Sequence, residues 1–277
     1  MTRFVTYDVF TDTPYGGNPL AVIPDATALP EEALQRIARE FNYSETTFVF
    51  PAEDPAHTAK VRIFTPTQEV PFAGHPLIGT AIALRHLGQP GTMVLELGIG
   101  PIPCTVGRDG ARFTTTAPLQ TQGAPDPALI ARCLSLTPGE IAGAPVIASL
   151  GLPFAFAEVA DRDALARCRP VTDAFREGAE AHPSELDFAV FAWCRRGEAI
   201  HARMFAPLDD IPEDPATGSA CATLGALLRE QVGTDQALTI HQGEDMGRPS
   251  KIVVTADADG VHVSGQAVKM MEGTLAG

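Results

Sequence analysis

Two short stretches of this 277-residue chain pair residues that can handle protons with a backbone that can hold an anion. In "PFAGHPLIGTAIAL" (71–84), Gly74 and His75 precede a proline and a run of small and aliphatic residues. In "EDPATGSACATLGALL" (213–228), Gly218 and Ser219 stand before a run of the same kind. Both read as helix entrances. Such an entrance exposes unpaired N–H groups and carries a partial positive charge. Proline at the first helical position costs no hydrogen bond, and a glycine lets a ligand approach the backbone closely. A carboxylate on a small molecule is the natural guest. Acid–base groups lie near both: Glu45 just ahead of the apolar strand in "SETTFVF", and Asp214 in "EDPATGS". A carboxylate at the mouth of a buried strand is a candidate proton carrier.

Each residue also has a plainer reading. Ser219 or Thr217 can be an N-cap, His75 a core histidine, Glu45 an exposed strand end and Asp214 an ordinary Asp-Pro turn. Asp209 and Asp210 read as solvated loop charges. Repetition favours a shared site. "RIFTP" (62–66) and "RMFAP" (203–207) share R-x-F-x-P at an offset of 141. Each is followed by an acidic loop, a glycine, one polar residue and a helix, with the two glycines 144 apart. Upstream, "ETTFVF" (45–50) sits 142 residues before "DFAVFA" (187–192). Matching words in one order indicate an internal duplication of a mixed α/β unit. If the halves face each other, both entrances open into one cleft, with His75 on one side and Ser219 on the other.

The elements that must position these residues follow from local pattern. "RFVTYDVF", "PLAVIP", "TTFVF" and "KVRIFTP" read as strands, and 30–41 as a helix with a proline start and early acids. "PLIGTAIALRHLG" reads as a helix closed by Gly88, followed by three short strands. Residues 117–145 look like a connection with a weak helix at 127–134. Strands at "LPFAFAEV", "LDFAVFAWC" and "AIHARMFAP", one helical stretch near 161–180, a helix at 219–231 and three last strands complete the second half. The expected division is 1–118 and 119–277, with roughly the last 12 residues packing back on the first half.

Composition excludes other classes. Hydrophobic content of 45% with 19% charged residues is that of a soluble globular chain. A net charge of −14 repels phosphate backbones, which argues against nucleic-acid partners. Neither a secretory leader nor a membrane span is expected. The five scattered cysteines form no C-x-x-C pair, so reduced thiols in the cytoplasm are expected, with no metal site. Neither G-x-G-x-x-G nor a P-loop occurs.

The chain resembles the PhzF-like family of phenazine biosynthesis, related to the diaminopimelate epimerase fold. The words that carry this are "DVFT" with "GNPLAV", "SETTFV", "FTPTQEVPFAGHPLIGTA", "EDPATGSA" and "QGEDMGRPS", in that order along the chain. The resemblance implies an α+β fold of two pseudo-symmetric domains, each a barrel-like β-sheet around a central α-helix, with the site between them. It implies a homodimer without metal or organic cofactor. In the phenazine enzyme, a glutamate at the position of Glu45 moves a proton between two carbons of trans-2,3-dihydro-3-hydroxyanthranilate. By the same matching, His75, Asp214 and Ser219 assist catalysis, and Gly74 and Gly218 bring backbone N–H groups to a substrate carboxylate. One departure bears on chemistry. Racemases of this fold use two opposed cysteines, whereas the entrances here carry His75 and Ser219, with Cys221 inside its helix. That disfavours two-thiol racemisation and suits a single carboxylate shuttle, giving a cofactor-independent isomerase of a small carboxylated metabolite. A non-catalytic binding protein of the same fold, or a cofactor-free epimerase or lyase, remains open at this stage.

Overall fold

The computed structural model describes residues 1–184 and 186–276. They form two compact units, one of residues 1–115 with those from His262 on, the other of residues 116–261. In the first, runs of β-branched and aromatic residues alternate with Gly- and Pro-rich turns. They give β1 (Arg3–Val9), β2 (Asn18–Ile23), α1 (Glu31–Phe41), β3 (Glu45–Phe50), β4 (Ala59–Phe64), β5 (Glu69–Val70), α2 (Gly74–His86), β6 (Thr92–Leu97), β7 (Gly100–Gly107) and β8 (Gly110–Thr115). The second contains β9 (Gln120–Gly123), α3 (Pro127–Cys133), β10 (Ile141–Ser149), β11 (Pro153–Val159), α4 (Arg162–Arg167), α5 (Thr172–Ala181), β12 (Val190–Arg196), β13 (Ala199–Ala206), β14 (Ile211–Asp214), α6 (Gly218–Val232), β15 (Gln236–Gln242) and β16 (Ser250–Asp257). Then β17 (Gly260–Gly265) straddles the division, and β18 (Ala267–Thr274) pairs antiparallel with β1.

Strand pairing shows the duplication directly. In the first unit β1 is antiparallel to β2, β2 parallel to β3, β3 antiparallel to β4, and β4 antiparallel to β5 but parallel to β6, which turns back into β7. In the second, β10, β11, β12, β13, β14, β15 and β16 repeat that series of directions without exception. In each unit a helix enters straight after the short strand, α2 after β5 and α6 after β14.

Both helices are buried on every side over most of their length, which suits a central position rather than a surface one. All of α2 from Gly74 to Leu84 is buried, and it contacts β1, β2, β3, β7, β8 and β18. Its close seat depends on Gly79, where a Cβ would lie 2.5 Å from Leu20 Cδ2 and 2.7 Å from Val9 Cγ2. Helix α6 contacts β10, β11, β15 and β16, and Gly225 plays the same part against Val254 Cγ1 at 2.7 Å. Every fully buried Leu or Ile on such a helix contributes about 1.5–3 kcal/mol.

Three local readings change. The segment 117–145 is more than a connection: β9, α3 and the start of β10 lie in it, and Leu129, Ile130, Cys133 and Leu134 join the second unit's core. Its helix is set by Asp126, whose carboxylate accepts from Ala128 N at 2.8 Å, and by Pro127 in the first turn. The helical stretch near 161–180 is two helices, because Pro170 disfavours helical geometry at the residue before it. A fourth C-terminal strand, β18, follows the three read from sequence.

Candidate active site

In the first unit, the turn into α2 is made by Ala73, which has extended backbone and no side-chain oxygen with which to cap the helix. His75 follows in the first turn with only 3% exposure. Its Nδ1 lies 3.2 Å from Asn18 Nδ2 at the start of β2, and its Nε2 lies 3.4 Å from Glu45 Oε2 at the start of β3. Parallel pairing of β2 with β3 sets Leu20 opposite Glu45, so one ladder delivers both partners to the imidazole. The 3.4 Å approach is longer than a formed hydrogen bond, a spacing that tightens readily once a ligand is bound. Burial holds the imidazole pKa down to about 3, against a smaller upward pull from the Pro19 backbone. His75 is therefore neutral near pH 7.

That neutrality has a stability consequence. An exposed imidazole in the unfolded chain titrates near 6.5. Below that pH the unfolded state binds a proton that folded His75 refuses, so the contribution is complete above about pH 6.5 and is lost as pH falls toward 3, by up to ~1.4 kcal/mol per pH unit. Urea midpoints at pH 7 and pH 5 should drop more steeply for the wild type than for His75→Asn. Equal slopes would mean that His75 does not resist protonation.

In the second unit, Thr217 is the N-cap of α6, but its hydroxyl donates to Asp214 Oδ2 at 2.5 Å instead of capping the helix. Ser219 lies in the first helical turn and is 6% exposed; its own hydroxyl has no hydrogen-bond partner among the described residues. The plain N-cap reading therefore fails for both hydroxyls. Asp214, 4% exposed, ends β14. The fully buried Gln242 accepts from Thr217 N (3.1 Å) and donates to the Asp214 carbonyl (2.8 Å) and to Thr217 Oγ1 (2.9 Å). Both entrances thus lack a side-chain cap, the state in which a helix N-terminus can take up an anion.

Sequence reading named Glu45, His75, Asp214, Ser219, Gly74 and Gly218. The structure brings Glu45 and His75 together, and ties Asp214 to the residue that opens α6. Gly74 and Gly218 each begin their helix. Asn18 and Gln242 were missed as individuals, although "GNPLAV" and "QGEDMGRPS" contain them. Cys221 is buried, which raises its thiol pKa well above the usual range and makes it a poor base. Asp209, read as solvated, is partly buried and pushed up to about 6 by burial and by Asp187 beside it.

A duplicated α+β unit wrapped on a buried helix is the diaminopimelate-epimerase-like fold. The chain belongs to the phenazine biosynthesis-like protein family (PhzC-PhzF), which matches residues 7–273. An uncharacterised isomerase of Mesorhizobium japonicum is 42% identical over 299 residues, covering 99% of this chain and 98% of that one. The trans-2,3-dihydro-3-hydroxyanthranilate isomerase of Pseudomonas aeruginosa is 34% identical over 283 residues, covering 99% of both chains. The solved structure of a predicted epimerase from Pseudomonas aeruginosa superposes with a TM-score of 0.85 at 31% identity, again over 99% of both chains. The protein is an enzyme, an isomerase of this family.

Proposed function

We propose that this isomerase moves a proton between two carbons of a small carboxylated metabolite, with Glu45 as the proton carrier. Ionised Glu45 takes a C–H proton next to an unsaturated system, and the electron pair left behind delocalises into that system. The Glu45 carboxyl, partly exposed and so exchanging its proton with solvent, then delivers a proton to another carbon, so atoms and charge balance without a cofactor. The observation that carries this reading is the 3.4 Å approach of Glu45 to His75, a buried imidazole that is neutral near pH 7. A neutral ring beside the carboxylate steadies either charge state without trapping the proton. The N–H groups of Gly74 and Gly218 hold the substrate carboxylate, Ser219 orients it, and Asp214 takes a substrate amino or hydroxyl group. Family resemblance adds the homodimer, and five buried free thiols fit a reducing cytoplasm.

The relative from Pseudomonas aeruginosa supplies the first substrate to try. Mixing the protein with trans-2,3-dihydro-3-hydroxyanthranilate should change its ultraviolet spectrum as the double bond shifts. Change in optical rotation with an unaltered spectrum would identify epimerisation instead.

A further inference from the structure

We infer that Thr217 and Gln242 are positioning residues that hold Asp214 as a hydrogen-bond acceptor through Oδ2, so that any proton Asp214 carries sits on Oδ1. The inference rests on the function proposed for Asp214.

The direction of every bond in this network is fixed. The Thr217 N–H can only donate, and its partner is one end of the Gln242 amide. The Asp214 carbonyl can only accept, and its partner is the other end. These two backbone groups set the amide orientation, with Oε1 toward Thr217 N and Nε2 toward Asp214 O. The same Nε2 lies 2.9 Å from Thr217 Oγ1. An amide nitrogen offers no lone pair, so the Thr217 hydroxyl must accept there, and its single proton goes to Asp214 Oδ2. Gln242, Asp214 and Thr217 are all buried, so reversing any one bond would strand a polar group away from water. The next residue locks the arrangement in place: Gly243 has φ +74, and a Cβ there would lie 2.3 Å from Arg248 O and 2.7 Å from Pro215 O. Ser250 Oγ donates to Pro215 O at 2.8 Å from the other side of the same turn.

The duplicated half is an internal control. β4 places Ile63 opposite Val70, and β13 places Met204 opposite Asp214, so Val70 is the counterpart of Asp214. The N-cap Ala73 corresponds to Thr217. Parallel pairing of Ala59 with Leu95 and of Ile200 with Ile240 makes Leu97 the counterpart of Gln242. The first unit therefore builds the same strand-to-helix turn from a buried Val, Ala and Leu. The turn needs no polar trio. Three positions that are buried and apolar in one unit are Asp, Thr and Gln in the other, and a polar group in a core is costly unless all of its bonds are met. Each unit ends up with one acid of its own, since the strand register pairs Thr46 with Phe64 and Val190 with Phe205, placing Ala189 where Glu45 stands. That register corresponds to an offset of 144, two residues from the sequence match of 142, and a shift of two keeps every side chain on its face.

The test reads the carboxyl itself. In protein carrying 13C-carboxyl aspartate, Asp214→Asn assigns the Asp214 resonance, which is then followed against pH. Thr217→Val removes the donor and keeps the shape, so the Asp214 titration midpoint should rise by one pH unit or more, and Thr217→Ser should restore it. Gln242→Met should give a smaller rise, and it serves if Thr217→Val yields no folded protein. An unmoved midpoint in either folded variant overturns the inference, whatever the activity. A shifted midpoint in protein that isomerises no carboxylated substrate would instead count against the proposed function and leave the positioning role standing. Where activity is present, the acid limb of kcat/KM should move with the resonance.

Discussion

Glu45→Gln should lower kcat/KM by about a thousandfold or more while the protein stays folded. General acid–base catalysis by one positioned group is worth on the order of 10²–10⁴. Here one carboxylate is asked both to remove the proton and to return it, so the loss should lie in the upper part of that range. Glutamine preserves the size of the side chain and can still hydrogen-bond, but it cannot accept a proton from carbon. Circular dichroism and Tm should be close to wild type, because Glu45 is not a core residue and retains some exposure. Substrate affinity should also survive, since binding is assigned to the helix entrances. A variant that keeps a tenth of wild-type activity would transfer the carrier role to another residue.

The second large effect concerns stability. The repeated R-x-F-x-P word has one job in both units: each arginine grips a glutamate in the acidic loop and stacks on the phenylalanine two residues on. Arg62 bonds Glu69 and Glu31, with its guanidinium 5.1 Å from the Phe64 ring centroid. Arg203 makes two bonds of 2.7 Å to Glu213 and sits 4.9 Å from the Phe205 centroid. Burial separates them. The Arg203 side chain is 4% exposed, and its Nη1 also donates to the carbonyls of Leu165 (3.0 Å), Ala166 (3.2 Å) and Cys168 (2.9 Å) where α4 ends. Arg203→Ala therefore strands a half-buried carboxylate and takes one of two donors from each of the three carbonyls, at a cost of about 3–5 kcal/mol. Arg62 is 21% exposed and its glutamates more so, which puts Arg62→Ala at about 1 kcal/mol or less. Thermal melts should show a drop on the order of 10 °C for Arg203→Ala and a few degrees at most for Arg62→Ala. Equal drops would show that the buried carbonyl contacts contribute nothing. Because Glu213 adjoins Asp214, Arg203→Ala should also reduce activity in whatever fraction remains folded.

How much of this was legible in the sequence depended on the range of the interaction. Helix entrances are local: Gly74, His75, Gly218 and Ser219 could be placed by glycine, proline and the aliphatic runs behind them, and both helices begin there. The R-x-F-x-P repeat exposed the duplication because its arginine and phenylalanine touch within one strand. Short strands such as β9 and β14 escaped notice, since four residues hold too few alternations to show a period. β18 escaped because its exposed Met271 and Glu272 hide the pattern of a strand stabilised by pairing with β1. Gln242 illustrates the deeper limit. Its bonds to Asp214 and Thr217 span 28 and 25 residues, and only the register of β15 on β13 brings them together. The neutral state of His75 is likewise a product of burial, which no spacing of residues reveals.

Proton movement through Glu45 is tested most directly by isotope. The wild type and Glu45→Gln are incubated in heavy water with trans-2,3-dihydro-3-hydroxyanthranilate and with a panel of small carboxylated metabolites, and products are weighed by mass spectrometry. One compound should gain a single mass unit at carbon with the wild type and none with the variant. Equal labelling by both proteins would contradict the account, because the proton would then be reaching carbon without Glu45.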